Sequence, residues 1–227
     1  VASLPGDHPY KLVAPTVEQS VTTLITLAPT AGPTTYGDSV TFTATVDPVP
    51  TGGTVQFKNG GNSLGTPVAV DTGTGVATYT TSTLGATTHA ITAEYSGSQN
   101  YGSSTTAASI SQVVNKAGLT VTAQYLLRLV NTANPDPLPY LITGFKNGQT
   151  PGTSGVTGTP ALGTTAVLAS PVGDYPITCA VGDLAASNYN FTSFVGATLT
   201  VVDGFVAVTN PSFEAGTPEG VADWPGP

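Results

Sequence analysis

Ser39-Val40-Thr41-Phe42-Thr43-Ala44-Thr45-Val46 decides the fold. Val40, Phe42, Ala44 and Val46 recur at every second position, and hydroxyl side chains fill the places between. Successive side chains of an extended chain point to opposite faces, so this period of two reads as a strand with one face buried. Asp47-Pro48-Val49-Pro50-Thr51-Gly52-Gly53 follows. Proline cannot donate to a central ladder, and the strand stops there.

Working outward, residues 54–58 place Val55 and Phe57 on one face, and Asn59-Gly60-Gly61-Asn62 supplies the positive-φ residues of a hairpin. Short strands are predicted at 67–70, 76–80, 89–95 and 108–114, with Asp71-Thr72-Gly73-Thr74-Gly75 as a turn between the first two. Ile91, Ala93 and Tyr95 share a face. Upstream, Leu24 and Leu27 lead into the turn-like Ala31-Gly32-Pro33. About seven short strands with turns at this spacing predict an immunoglobulin-like β-sandwich over residues 22–115.

Alternation resumes beyond Asn115-Lys116-Ala117-Gly118, with Leu119, Val121 and Ala123 on one face. Further strands are expected at 126–130, 140–145, 166–169, 175–181 and 197–202, and a proline-rich stretch at 134–139. The fold class is therefore mainly β: tandem β-modules, an immunoglobulin-like sandwich at 22–115 followed by a second β-rich domain at 116–202. A junction this short leaves little freedom, so the two are expected to stack end to end as a semi-rigid rod.

Composition agrees. Only 8% of the 227 residues are charged, against about 25% in an ordinary soluble domain. With 27 Gly and 19 Pro as punctuation, no helix longer than two turns finds a place. Apolar residues still make up 39%, enough to bury a core rather than remain disordered. A net charge of −8 and five scattered basic residues (Lys11, Lys58, Lys116, Arg128 and Lys146) argue against nucleic acid as a partner. No apolar run is long enough to span a membrane. The opening Val-Ala-Ser-Leu-Pro-Gly-Asp has no signal-peptide character.

Residues 39–46, 53–59, 75–84 and 88–101 resemble, in order, the "VTFTATV", "GTVTFKDG", "GVATFTTSTL" and "THTITATYSGDANY" wording of bacterial Ig-like repeats. Residues 116–202 resemble the MBG domain of bacterial adhesin-like proteins. That match runs through Lys116-Ala117-Gly118-Leu119-Thr120-Val121-Thr122-Ala123, Ile142-Thr143-Gly144-Phe145-Lys146-Asn147-Gly148 and Ser170-Pro171-Val172-Gly173-Asp174-Tyr175. It continues through Ala186-Ser187-Asn188-Tyr189-Asn190-Phe191 and Gly196-Ala197-Thr198-Leu199-Thr200-Val201. One departure is that Tyr125 is followed by Leu126-Leu127-Arg128 where the family has a Tyr-Gly turn.

Tyr95-Ser96-Gly97-Ser98-Gln99-Asn100-Tyr101 has a degenerate twin in Leu4-Pro5-Gly6-Asp7-His8-Pro9-Tyr10. Residues 1–21 are thus expected to be the C-terminal remnant of a preceding repeat, and any targeting signal to lie upstream. Residues 203–227 are expected to be a linker and the truncated start of a galactose-binding-like jelly roll. Asn210-Pro211-Ser212-Phe213-Glu214 and Trp224 carry that resemblance.

Chemistry-bearing residues are sparse. Asp38, Asp47, Asp71, Asp174 and Asp203 sit in Gly-, Pro- or Ser-containing segments that suit turns better than a pair of catalytic carboxyls. No nucleophile elbow, phosphate loop or zinc-protease motif appears. His8 and His89 lie in different modules, which disfavours a shared metal site. His89 is expected to pack at a strand rim, and a calcium loop using Asp7 or Asp71 stays open. Cys179, the sole cysteine, reads as a small hydrophobe beside Tyr175, Ile177 and Val181. No catalytic residue, cofactor or metal ligand is assigned. Tyr125, Tyr140 and Tyr189 are the candidate ligand-binding residues, as aromatic platforms that second-module loops could expose.

The leading expectation is a non-enzymatic spacer of a large secreted or surface-anchored bacterial protein, its partners being neighbouring domains of the same chain. Two further readings stay open: an adhesin segment contacting extracellular glycans or mucin, and accessory modules of a polysaccharide-active enzyme.

Overall fold

The computed structural model describes residues 20–28 and 32–204; the remnant, the turn expected at Ala31-Gly32-Pro33 and the jelly-roll start lie in whole or in part outside them. All regular elements among the described residues are strands. They fall into two compact units. The first runs to Ala117 and takes in Phe145–Gly155 and Ala186–Asn190. The second holds Gly118–Gly144, Val156–Ala185 and the chain from Phe191.

Ten strands build the first unit: β1 (Leu24–Leu27), β2 (Thr34–Thr35), β3 (Val40–Asp47), β4 (Thr54–Asn59), β5 (Asn62–Ser63), β6 (Val68–Ala69), β7 (Val76–Thr81), β8 (Thr88–Tyr95), β9 (Ser104–Thr105) and β10 (Ile110–Asn115). One sheet has the order β1-β3-β7; the other runs β2-β10-β8-β4-β5, with β6 on β4 and β9 on β8. The period of two works as read. Val40, Phe42, Ala44 and Val46 are buried, as are Val55 and Phe57 on β4 and Ile91, Ala93 and Tyr95 on β8. Phe57 stacks on Tyr79 of the opposite sheet, ring centroids 5.9 Å apart. On β1 the buried residue is Ile25, while Leu24 faces solvent.

Glycine is required where Tyr95 crosses the chain. Its hydroxyl donates to the Gly52 carbonyl at 2.7 Å and lies 3.1 Å from Ser98 Oγ. Gly53 has φ +94°, and a Cβ there would come within 2.5 Å of the Tyr95 ring. Asn59 and Asn62 pair across Gly60 and Gly61, both at positive φ, as the hairpin reading expects.

The segments 145–155 and 186–190 complete this unit through a ring cluster. Tyr189 is 1% exposed. Tyr36 and Phe145 meet its ring edge-on, at 5.3 and 5.7 Å between centroids. Its hydroxyl donates to Gln149 Oε1 and accepts the Lys146 N–H at 3.0 Å. Asn188 Oδ1 takes the Ala86 N–H, and Asn147 Nδ2 donates to the Ser82 carbonyl.

One residue, Lys116, separates β10 from β11 (Ala117–Ala123). Then follow β12 (Leu126–Leu129), β13 (Tyr140–Thr143), β14 (Ala161–Thr164), β15 (Gly173–Ala180), β16 (Tyr189–Val195) and β17 (Ala197–Val202). Their sheets run β13-β11-β16 and β12-β17-β15-β14. The β12–β17 pairing is parallel, Leu126 to Leu199 through Leu129 to Val202. Ala123, Ala166, Ile177, Leu199 and Val201 form one core cluster, with Leu126, Leu138, Leu162, Tyr175 and Cys179 packed on it, and Leu119, Val121 and Ile142 are buried as well.

Here the structure departs from the sequence reading in three places. The expected strand at 166–169 is a turn: Ala166 is buried, and Ser170 Oγ accepts the Val167 N–H at 2.8 Å. The strand lies instead at β14, whose Gly and Thr residues carry no clear alternation. β16 was hidden by the polar Asn188-Tyr189-Asn190, which reads as a turn. Val181 lies beyond the end of β15 and is exposed, so it does not share the Cys179 environment.

Candidate functional site

A groove of about 500 Å³ opens in the second unit. One wall is residues 134–138 with Tyr140 at the start of β13; the other is residues 159–164, which include all of β14. Both walls are held from beneath. Arg128, 7% exposed on β12, donates from Nε to Asn134 Oδ1 at 2.7 Å, and its Nη groups donate to the Leu129 and Val167 carbonyls. Asn134 in turn donates from Nδ2 to the Ala166 carbonyl at 2.7 Å. Among the described residues no carboxylate pairs with Arg128; three neutral oxygens answer its charge. Such a fork fixes geometry well, since the planar guanidinium reaches several acceptors at once.

Thr159 is anchored separately. Asp183 Oδ1 accepts its N–H at 2.6 Å and its hydroxyl at 3.2 Å, and these bonds hold the Asp183 carboxyl below its ordinary range. Asp136 is exposed at the groove, and Tyr140 is half-buried. Neither the Asp136 carboxylate nor the Tyr140 hydroxyl has a partner among the described residues.

The three tyrosines singled out by sequence therefore part company. Tyr140 lines the groove, and Tyr125, 61% exposed, stands between β11 and β12. Tyr189 corrects the expectation of exposure: its ring is enclosed by Tyr36 and Phe145, and its hydroxyl is spoken for, so it offers no platform. What sequence missed is the Arg128–Asn134 clamp. Its one visible signal was an Arg amid Leu126, Leu127 and Leu129.

Other polar residues hold structure. Asp71 Oδ1 accepts the Thr74 hydroxyl and the N–H groups of Gly73 and Thr74, which together lower its carboxyl below the usual range. The turn reading of this residue is correct. His89 Nδ1 meets Asn59 Nδ2 at 2.9 Å and its Nε2 meets the Gly85 carbonyl at 2.8 Å, an arrangement that suits the Nε2–H tautomer. Partial burial raises the Cys179 thiol, whose Sγ lies 3.7 Å from the Val121 carbonyl. Among the described residues no three His, Cys, Asp or Glu side chains gather as a metal ion would need. No helix among them is long and apolar enough to cross a membrane.

The family profile of the bacterial Ig-like domain (group 3) matches residues 15–115, and that of the MBG domain (YGX type) matches residues 119–200. The chain is a bacterial Ig-like domain followed by an MBG domain. Both are non-catalytic module types of modular extracellular and surface proteins of bacteria. The MBG match spans 145–155 and 186–190, segments that pack within the first compact unit, so the family limits and the compact units do not coincide. The groove lies wholly in MBG sequence.

No curated protein matches the chain. Among solved structures it is similar to the fibronectin(III)-like modules of Clostridium thermocellum CbhA, at 14% identity over 79% of this chain and 95% of that one, TM-score 0.33. An I-band fragment of titin is similar at 10% identity over 78% and 65%, TM-score 0.38. The titin z1z2 domains in complex with telethonin are similar at 14% over 79% and 97%, TM-score 0.33. Similarity at this level says nothing of activity or partner.

Proposed function

We propose that these modules serve as a non-enzymatic spacer in a secreted or surface-anchored bacterial protein, with the adjoining domains of the same chain as their partners. The observation that carries this reading is the employment of the polar side chains. Asp71, Asp183, His89, Arg128 and Asn134 are each engaged in fixing a turn or tying strands together. Catalysis needs such groups converging on a shared space with capacity to spare. The module families support the same reading, and the single residue between β10 and β11 suits a chain that passes from one folded element straight into the next.

A glycan-binding role rests on Tyr125 and Tyr140, whose rings remain accessible beside polar groups, since sugar rings stack on aromatic faces. A glycan array followed by calorimetry separates the two. For a spacer, soluble glycans bind no more tightly than about millimolar, roughly −4 kcal/mol. Micromolar binding abolished by Tyr125→Ala or Tyr140→Ala would replace the spacer reading with an adhesin one.

A further inference from the structure

The groove between residues 134–140 and β14 has the anatomy of an empty strand position. A strand that shows a face to a cavity lines it with alternate residues, because side chains alternate between faces. Here six consecutive residues, 159–164, line the groove. It is therefore the backbone edge of this segment that is turned toward the space. Among the described residues β14 pairs with β15 and with no other strand, so half of its N–H and C=O groups point away from the sheet. No hydrogen bond among the described residues joins it to the opposite wall.

That wall does not ladder onto β14. Its sequence is Asn134-Pro135-Asp136-Pro137-Leu138-Pro139-Tyr140, in which every second residue from 135 to 139 lacks an N–H, so donors remain along one edge only. The Pro139 carbonyl accepts the Gln124 N–H at 3.0 Å, and the Arg128–Asn134 clamp fixes the other end of the segment. The edge is left available as a template for an added strand.

The lining also states what would fit. Leu138, Leu162 and Tyr140 offer apolar surface for alternate side chains. Asp136 is the one charged residue of the lining, and the whole chain carries −8. This field attracts cationic segments and repels a second copy of the chain. We propose that the slot beside β14 binds an extended segment of another protein, alternating apolar and basic residues, by adding it to the β12-β17-β15-β14 sheet. At ~3.3 Å per residue the four residues of β14 pair with about four to six of the partner.

The test is an amide NMR titration of the whole chain with a blocked hexapeptide of alternating Val and Lys. Expected are shifts and slowed exchange at residues 161–164 with shifts at Tyr140, and weakening of up to about fivefold in Asp136→Asn, the scale of an exposed ion pair. Peptides carrying N-methyl groups on either alternate set of residues identify the pairing edge: one set abolishes binding and the other leaves it. The proposal is overturned if millimolar peptide shifts nothing, if shifts fall on the free edge of β12 instead, or if both methylated sets bind. Equal binding of a blocked hexapeptide of alternating Val and Glu, or a neutral trisaccharide shifting residues 161–164 where the Val–Lys peptide does not, also overturns it.

Discussion

The two sandwiches solve the same architectural problem with different materials. In the first, apolar residues alternate cleanly along β3 and β8, and Phe42, Phe57 and Tyr95 fill the space between sheets. In the second, β11 alternates in the same way, with Leu119 and Val121 fully buried, but the cluster between the sheets is two alanines with Ile177, Leu199 and Val201, and a buried guanidinium ties down the loops. Among the described residues, nine of the twelve exposed large hydrophobic residues belong to this second unit, and Val21, Leu24 and Val49 to the first. A periodic apolar pattern specifies a whole strand at once, whereas a clamp specifies a few points and leaves edges and apolar surface open. The groove lies where that second strategy is used.

If the first sandwich depends on its aromatic core, Phe42→Ala should cost roughly 3–5 kcal/mol, through lost burial and the cavity left behind. Thr45, outward on the same strand, is the control, and Thr45→Ala should stay within about 0.5 kcal/mol. Denaturant melts that gave the two substitutions similar costs would mean that the strand's register had been misread.

The second sandwich should break at its clamp. Arg128→Met fills similar volume but leaves Asn134 Oδ1 and the Leu129 and Val167 carbonyls without their donor. Removing one partner from buried polar groups costs about 1–3 kcal/mol, offset in part because a buried charge is no longer desolvated. Arg128→Lys should rescue little, since an ammonium cannot reproduce the fork. A Met variant as stable as the parent in chemical melts would show the second unit to rest on its apolar cluster alone.

Tyr189 marks where family sequence and compact unit diverge. Tyr189→Phe keeps the edge-on rings with Tyr36 and Phe145 but strands the Lys146 N–H and leaves Gln149 Oε1 with the Tyr36 hydroxyl, at 3.3 Å, as its remaining donor. The expected loss is about 1 kcal/mol, read by thermal melts with hydrogen exchange at the Lys146 amide as the local probe. Unchanged protection there would break the assignment of segments 145–155 and 186–190 to the first unit's stability.

Legibility followed the same divide. β3, β4 and β8 could be read residue by residue because one face is buried and the other wet, and the Asn59–Asn62 hairpin because its glycines need positive φ. β14 and β16 could not: β14 is Ala-Leu-Gly-Thr at a sheet edge, and β16 opens on Tyr189 flanked by the polar Asn188 and Asn190. Edge strands face solvent on more than one side, so alternation fades. For the groove, Tyr140 was visible as an aromatic near prolines, but nothing local announces that residues 159–164 turn their backbone toward it. Tyr189 shows the opposite failure, since its ring packs against Tyr36, more than 150 positions away in the chain.

The finest contrast is one in which the two units should agree. Each has an aspartate whose Oδ1 collects neighbouring donors: Asp71, from the Thr74 hydroxyl and the Gly73 and Thr74 amides, and Asp183, from the Thr159 amide and hydroxyl. Both carboxyls are held below the ordinary value of 3.8 in the folded state. A depressed folded pKa means that the charged form is favoured by folding, so the contribution is complete above the unfolded pKa. It is lost as pH falls below 3.8 and through the lower folded value. Asparagine keeps an oxygen that accepts the same bonds but does not titrate. Asp71→Asn and Asp183→Asn should therefore each flatten the acid limb of the stability profile slightly while leaving the neutral region nearly level. The two effects should be of similar size, because both side chains are exposed and water screens them equally. Carboxyl NMR titration gives the direct check. A normal or raised pKa at either residue would mean that its turn is not formed in solution, and the parallel between the two units would fail at that loop.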